Sequence, residues 1–209
     1  MKDNRIDEYV KEDKIIFIKH DIINSNLGEL FTFIYDHFDH IDMLINGAGI
    51  NSSTQLLDIT TEEMNEIFEI NFNFVVKCCQ KYIEKTLDLD KKGKILNVGS
   101  VSALNPLSKV FMYSASKAAL HNFSKNLARE YGNRDITTNI LVPGFFPAEQ
   151  NKKILNEKRK ESILAQTPMK RFGDPIELCG MVKLLLSDEG SFINGAELVI
   201  DGGYSINKI

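Results

Sequence analysis

Short apolar runs alternate along this chain with longer amphipathic segments, and that alternation restricts the folds open to it. The apolar runs lie at 15–18, 41–45, 94–98, 136–142 and 197–200. Continuous runs of this length are typical of strands buried on both faces, while the apolar residues between them recur at helical spacing. Strands that alternate with helices predict an α/β protein whose parallel sheet is covered by helices on both faces.

Helix boundary signals agree with this division. Thr60, with Glu63 three positions later, forms a capping-box pattern, and Gly132 ends a later helical pattern. Residues 148–165 are predicted to form a charged amphipathic helix outside the main alternation. Because neither a repeat nor a linker divides the sequence, we expect a single domain over residues 1–209.

Composition argues against several classes of function. The formal net charge of −4 gives no electrostatic case for nucleic acid or an anionic membrane. The densest basic run, Lys152-Lys153 with Lys158-Arg159-Lys160, is interrupted by Glu157 and Glu161, which indicates a solvated helix face rather than a binding patch. The three cysteines have no metal or redox spacing. No apolar run approaches the ~18 residues of a membrane helix, and the first residues carry no secretory signal. We therefore expect a cytoplasmic protein that binds a small-molecule substrate and no metal.

Polar or glycine-rich residues follow each of the first four predicted strands. They are Asp21, Asn46-Gly47-Ala48-Gly49, Ser100 and Pro143-Gly144. Each alone is ordinary turn chemistry. Parallel strands, however, place their carboxyl ends at one edge of a sheet, where open α/β sheets bind ligands. We expect a site at that edge.

Tyr113 and Lys117 stand four residues apart in a predicted helix and therefore share a face. A phenol titrates near ~10, and a fixed ammonium beside it lowers that pKa, so such a pair can transfer a proton near neutral pH. Taken alone, a surface tyrosine and a solvated lysine explain the pair more simply. Asn71 is an independent sign, since it lies on a helix stripe that should be buried. It is then either a structural bridge or part of a proton path.

Together these residues resemble the classical short-chain dehydrogenases/reductases. The resemblance runs from about residue 15 to the C-terminus, keeps the motifs in the family's order, and includes the 13-residue spacing from Ser100 to Tyr113. It implies a Rossmann-like doubly wound sheet, an NAD or NADP cofactor and a homo-oligomer. It also implies an oxidoreductase that interconverts a secondary alcohol and a ketone.

The resemblance assigns roles to the matching residues. Tyr113 would be the general acid/base, and Lys117 would lower its pKa and bind the nicotinamide ribose. Ser100 would hold the substrate oxygen, and Asn71 would order a water that relays the proton. The expected cofactor contacts are Asp21 and Ile22 at the adenine, Asn46 and Gly49 at the ribose side, Pro143, Gly144 and Phe146 at the nicotinamide, and Tyr113 with Lys117.

One departure from the family lies after Gly144. The family usually has a threonine near position 147, whereas Phe145-Phe146-Pro147 gives an apolar rim. The stretches 143–151 and 167–173 are similar to members that act on sugar acids such as hexuronates. The candidate substrate contacts there, which could equally form an exposed helix start, are Glu149, Gln150 and Asn151.

A larger departure is the family's first strand and glycine-rich turn, Thr-Gly-x-x-x-Gly-x-Gly, which cradles a pyrophosphate. This sequence has no such element, and no helix start follows Gly47-Ala48-Gly49. We therefore expect an N-terminally truncated domain that lacks the first strand, the turn and the second strand, roughly 30 to 45 residues. The strand at 15–18 must then pair across the gap, pair with another chain or fail to order.

Two hypotheses remain open at this stage. The intact set of site residues favours a dehydrogenase, and the missing turn predicts that the chain binds its cofactor weakly and associates. The alternative is a catalytically silent dimerisation or regulatory module, or a truncated gene product. Substrate, reaction direction and the choice of NAD or NADP are undetermined by the sequence.

Overall fold

The computed structural model describes residues 15–147 and 156–206. In this part of the chain four strands form one parallel sheet in chain order. They are β1 (Met43–Asn46), β2 (Gly93–Val98), β3 (Ile136–Pro143) and β4 (Glu197–Ile200). The predicted fold class is confirmed.

Six α-helices flank these strands within the described ranges. They are α1 (Leu27–His37), α2 (Thr61–Phe68), α3 (Phe74–Asp88), α4 (Phe111–Tyr131), α5 (Glu157–Gln166) and α6 (Ile176–Leu186). The Thr60 hydroxyl caps α2 by accepting the Glu63 main-chain N–H at 3.2 Å, as the capping pattern predicts. Helix α5 matches the later part of the helix predicted at 148–165; residues 148–155 lie outside the described ranges. None of the described helices is long and apolar enough to cross a membrane.

Helices cover both faces of the sheet because successive strand side chains point to opposite sides. Ile95 of β2 belongs to the cluster formed with α1, α3 and α4. Its neighbour Leu96 packs instead with Leu141 of β3 against α6. The central strands are thereby enclosed from both sides, as their continuous apolar runs predict.

The prediction of a strand at 15–18 is wrong. This segment pairs with no strand among the described residues, and its Phe17 side chain is 77% exposed. The outer edge of β1 likewise has no described neighbour, and Ile45 on β1 is 49% exposed. An apolar run becomes a strand only where a neighbour satisfies its main-chain groups. The alternatives for this segment were pairing across the gap, pairing with another chain or failing to order. Among the described residues it does not pair across the gap.

Candidate active site

A cavity of about 310 Å³ opens where β1, β2 and β3 end. It lies at the edge of the sheet where the polar strand ends predict a site. The predicted site residues that line it are Gly49, Ser100, Tyr113, Lys117, Pro143, Gly144 and Phe146. The fold therefore brings together residues from four separate segments of the sequence.

Ser100 follows β2 and begins a short 3₁₀ turn. Its hydroxyl oxygen accepts hydrogen bonds from the main-chain N–H of Ser102 at 3.1 Å and from the Ser102 hydroxyl at 3.0 Å. Because both bonds use its acceptor capacity, the proton of the Ser100 hydroxyl remains available for donation. Ser100 is thus held as a donor at the cavity.

Tyr113 and Lys117 come from the first two turns of α4 and lie on one face of it. Lys117 is 4% exposed, so the simpler interpretation as a solvated lysine is wrong. Its ammonium donates to the Val98 carbonyl at 2.7 Å and lies 5.9 Å from the centre of the Tyr113 ring. The end of β2 therefore anchors the lysine beside the phenol.

Burial dominates the titration of both groups. It raises the pKa of Tyr113, while an interaction with the Ser100 side chain acts in the opposite direction. Burial lowers the pKa of Lys117 to about 8. Burial thus outweighs the neighbouring groups at the phenol, and a lowering of its pKa by Lys117 remains a prediction. The buried ammonium is itself costly, and its hydrogen bond goes to Val98.

Asn71 lies in a π-turn, Glu69–Asn73, that joins α2 to α3. Its side chain is fully buried. Its Oδ1 accepts the Ile50 main-chain N–H at 2.8 Å, and its Nδ2 donates to the Ile50 carbonyl at 2.9 Å and to Ser116 Oγ at 3.0 Å. These bonds bridge α4 and the loop at Ile50, while the part of Asn71 in a proton path remains a prediction. Helical periodicity gave no sign of the π-turn, a feature frequent at functional sites.

Gly49 is where the Asn71 bridge meets the cavity. A Cβ at this position would lie 3.2 Å from Asn71 Oδ1 and 3.5 Å from Lys117 Nζ. A Cβ would therefore crowd Asn71 Oδ1 and come into ordinary contact with Lys117 Nζ. The space beside this glycine links the asparagine to the lysine.

Asn46 lies beneath the cavity rather than on its wall. Its Nδ2 donates to Asn97 Oδ1 at 2.8 Å, and the Asn97 amide donates in turn to Ser124 Oγ at 2.8 Å. All three side chains are buried. The direction of a side chain at the end of a strand depends on register, which the sequence motif does not give.

Asp21 and Ile22 also lie away from the cavity lining. The exposed carboxylate of Asp21 accepts the main-chain N–H groups of Ile23 at 2.9 Å and Asn24 at 3.1 Å, and so closes its own turn. Hydrogen bonds from Asn24 hold the pKa of this carboxyl below its usual value. The predicted adenine contact remains a prediction.

Two residues that line the cavity were missed by the sequence reasoning. Arg159, in the first turn of α5, lines it and donates from Nη2 to the Ser108 carbonyl at 2.9 Å. The prediction of a solvated helix face is therefore wrong for Arg159. The other is Asn51, whose Oδ1 is buried without a hydrogen-bond partner in the described part of the chain. No local pattern could have found Arg159, since its place depends on the packing of α5.

The segment after β3 forms the apolar rim that the sequence predicts. Phe145 and Phe146 line the cavity. Gly144 is required there because a Cβ would lie 2.6 Å from the Cα of Asp201. The candidate contacts at 149–151 lie outside the described residues. Within the described ranges, no three His, Cys, Asp or Glu side chains cluster as metal ligands.

The fold and site define an α/β protein that groups serine, tyrosine and lysine around a cavity at the carboxyl edge of a parallel sheet. A family model described as enoyl-(acyl carrier protein) reductase matches residues 2–205. The chain belongs to the short-chain dehydrogenase/reductase family.

Curated relatives are named as reductases. The chain is 36% identical over 179 residues to the 3-oxoacyl-[acyl-carrier-protein] reductase FabG of Escherichia coli, covering 86% of this chain and 72% of the relative. It is 35% identical over 170 residues to the enzyme of that name from Vibrio cholerae, covering 81% and 69%.

Solved structures share the fold. A 4-hydroxyisoleucine dehydrogenase mutant complexed with NADH and succinate is 26% identical, with a TM-score of 0.90 over 100% of this chain and 87% of that one. A gluconate 5-dehydrogenase from Burkholderia cenocepacia, in complex with NADP and tartrate, is also 26% identical, with a TM-score of 0.81 over 84% and 69%.

Proposed function

We propose that this protein is an NAD(P)-dependent oxidoreductase that interconverts a secondary alcohol and a ketone. The observation that carries the proposal is the convergence of Ser100, Tyr113 and Lys117 on one cavity. Relatives named as reductases and dehydrogenases support the reaction class.

The walls of the cavity fit a nicotinamide cofactor. The unpartnered oxygen of Asn51 offers an acceptor, and the Lys117 ammonium offers a donor. Gly47, Gly49 and Gly144 let a ligand approach the main chain closely. Neighbouring structures hold NADH or NADP. The bound cofactor would supply or accept the hydride, while the protein positions the groups and transfers the proton.

Tyr113 would donate the proton to the substrate oxygen during reduction and accept it during oxidation. The raised pKa of Tyr113 keeps the phenol neutral, which suits reduction. Ser100 would donate a hydrogen bond to the same oxygen and keep its own proton. Asn71 and Lys117 both lie near Gly49, and a water ordered between them would complete a proton path.

The proposed substrate carries a carboxylate, as a sugar acid does. Arg159 supports this because it lines the cavity that holds Tyr113 and brings a positive charge to it. Its bond to the Ser108 carbonyl involves Nη2 and leaves other N–H groups for a bidentate carboxylate. Two neighbouring structures were solved with dicarboxylates, succinate and tartrate.

The test is a panel of ketones assayed with NADH and NADPH by nicotinamide absorbance: keto acids of sugars, matched neutral ketoses and a 3-oxoacyl thioester. We expect turnover of the keto acids. Arg159→Met should raise KM for them roughly 10- to 100-fold and leave neutral ketones unchanged. Lys158→Met, on an exposed neighbour, is the matched control. Equal KM values for acids and neutral ketones would contradict the proposed substrate class.

A second candidate is a module that acts by association. The exposure of Phe17 and Ile45 favours it, as does the edge of β1 that has no partner strand among the described residues. The same panel separates the candidates, because a silent module turns over none of the ketones and binds neither dinucleotide in calorimetry.

In either case we propose that the chain forms one domain, which would unfold in a single transition.

A further inference from the structure

One stripe of α4 extends away from the cavity. Tyr113, Lys117, His121 and Lys125 are spaced four residues apart and so follow one another along a single helix face. The stripe ends at Glu197 of β4, which contacts both His121 and Lys125. His121 is 4% exposed, and the proposed reaction gives it no role.

The contacts of His121 define its tautomer. Its Nε2 lies 3.3 Å from the main-chain nitrogen of Ser100. A main-chain N–H can only donate, so Nε2 must be the unprotonated acceptor. The proton then sits on Nδ1, which donates to Glu197 Oε1 at 3.0 Å. Lys125 Nζ holds the same carboxylate oxygen at 2.7 Å.

The imidazole is seated directly on the chain that leads into Ser100. A Cβ at Gly99 would overlap the His121 ring, so only glycine permits this approach. On its other side, the Gly99 N–H donates to the Leu141 carbonyl at 2.7 Å. The main chain before the Ser100 hydroxyl is thus fixed by β3 at one residue and by His121 at the next.

We propose that His121 is a positioning residue for Ser100: its Nε2 holds the Ser100 main-chain N–H, and Glu197 fixes the ring in the tautomer that can do so. The catalytic consequence rests on the proposed function, in which Ser100 contacts the substrate oxygen. The contact itself is independent of that reaction and can be measured without it.

Protonation of His121 would break this hydrogen bond, because the Nε2–H of the imidazolium would then face the Ser100 main-chain N–H. The charged groups around the ring are Glu197 from β4 and Lys117 with Lys125 from α4; the segment after β2 contributes main-chain groups. Burial lowers the pKa of His121, Glu197 raises it, and the two lysines lower it. The neutral ring therefore stabilises the fold above about pH 6.5, and this stabilisation is lost as pH falls through the folded pKa.

The first experiment measures keto-acid reduction against pH for the wild type, His121→Leu and His121→Gln. Tyr113 must be protonated in this direction and contributes no acid limb. We expect a wild-type acid limb in kcat, a roughly tenfold lower kcat without that limb in His121→Leu, and recovered kcat without the limb in His121→Gln. The glutamine amide can accept from Ser100 and donate to Glu197. His37→Gln, on the surface, should match the wild type.

Two further variants move the acid limb in opposite directions. Glu197→Gln removes the charge that favours the imidazolium, so the limb should move to lower pH. Lys125→Met removes a charge that opposes it, so the limb should move to higher pH. Shifts in the same direction would overturn the proposal.

A readout without turnover separates this proposal from the proposed function. Nitrogen NMR of the imidazole should show the Nδ1–H tautomer at neutral pH, and the Ser100 amide shift should change with His121 titration and in His121→Leu. An Nε2–H tautomer, or a Ser100 amide indifferent to His121, would overturn the proposal even in an active enzyme. The expected NMR result in a protein that reduces no ketone would refute the reaction and retain the contact.

Discussion

The central strands and the β1 side of the sheet differ in how completely neighbours enclose them. β2 and β3 each have a strand on both sides and a helix layer on both faces, and Ile140 of β3 is fully buried. In the described part of the chain β1 pairs only with β2, and Ile45 remains 49% exposed. In sequence β1 is at least as apolar as β2 and β3. Burial therefore follows from position in the sheet and not from the apolar run itself.

The same difference governs polar side chains. Asn139 of β3 is buried, donates to the Ile193 carbonyl at 2.7 Å and accepts the Ala196 N–H at 3.0 Å. It thereby fixes the loop that leads into β4. Asn97 of β2 similarly links Asn46 to Ser124. Hydrogen bonds between buried polar side chains fix the central strands. The site lies at the carboxyl ends of these strands.

The largest effect is expected from Tyr113→Phe, which tests whether the central site is catalytic. Loss of the phenolic proton should lower kcat by about 10²- to 10⁴-fold in steady-state assays. The urea midpoint should barely change, because the ring still fills its place. Tyr131→Phe, at the far end of α4, is the control. Activity within tenfold of the wild type would remove Tyr113 from the mechanism.

Cavity-forming substitutions compare the two regions directly. Ile140→Ala should lower the free energy of unfolding by about 2–5 kcal/mol, since its buried surroundings cannot collapse fully. Ile45→Ala should cost less than about 1 kcal/mol because half of that side chain already meets solvent. Urea unfolding measures both. Equal losses would mean that the β1 side is enclosed in solution.

Asn97→Ala tests the polar network at the centre. It removes the acceptor of the Asn46 amide and the donor to Ser124 Oγ, and should cost about 1–3 kcal/mol. Asn126→Ala, on an exposed turn of α4, should stay within about 0.5 kcal/mol of the wild type. If the two substitutions have equal effects in urea unfolding, the network does not stabilise the sheet.

The smallest effect on stability is expected from Ile45→Lys. An exposed position should tolerate the charge within about 0.5 kcal/mol, whereas a charge beside an open sheet edge discourages pairing with another chain. Sedimentation at rising concentration should show less association than in the wild type. Unchanged association would place any contact between copies elsewhere, and the predicted homo-oligomer would then need another face.

Local patterns predicted most of the fold. The strands at 94–98 and 197–200 and the Thr60 cap were found within a residue, because burial on both faces and capping leave local signals. The strand at 15–18 failed because apolarity does not supply a pairing partner. The π-turn at Glu69–Asn73 was not predicted, because apolar residues continue through it at ordinary helical spacing.

For the site, the sequence by itself determined which residue types end the strands and that Tyr113 and Lys117 share a helix face. Only the tertiary structure decided which side chains reach the cavity. The Asn46 side chain lies beneath the cavity, whereas Arg159 lines it from a helix face that the sequence pattern assigned to solvent. Tertiary burial also raises the pKa of Tyr113, which the spacing of Tyr113 and Lys117 does not reveal. The physical reason is that periodicity and spacing fix local geometry, whereas register, helix docking and desolvation depend on contacts between distant segments.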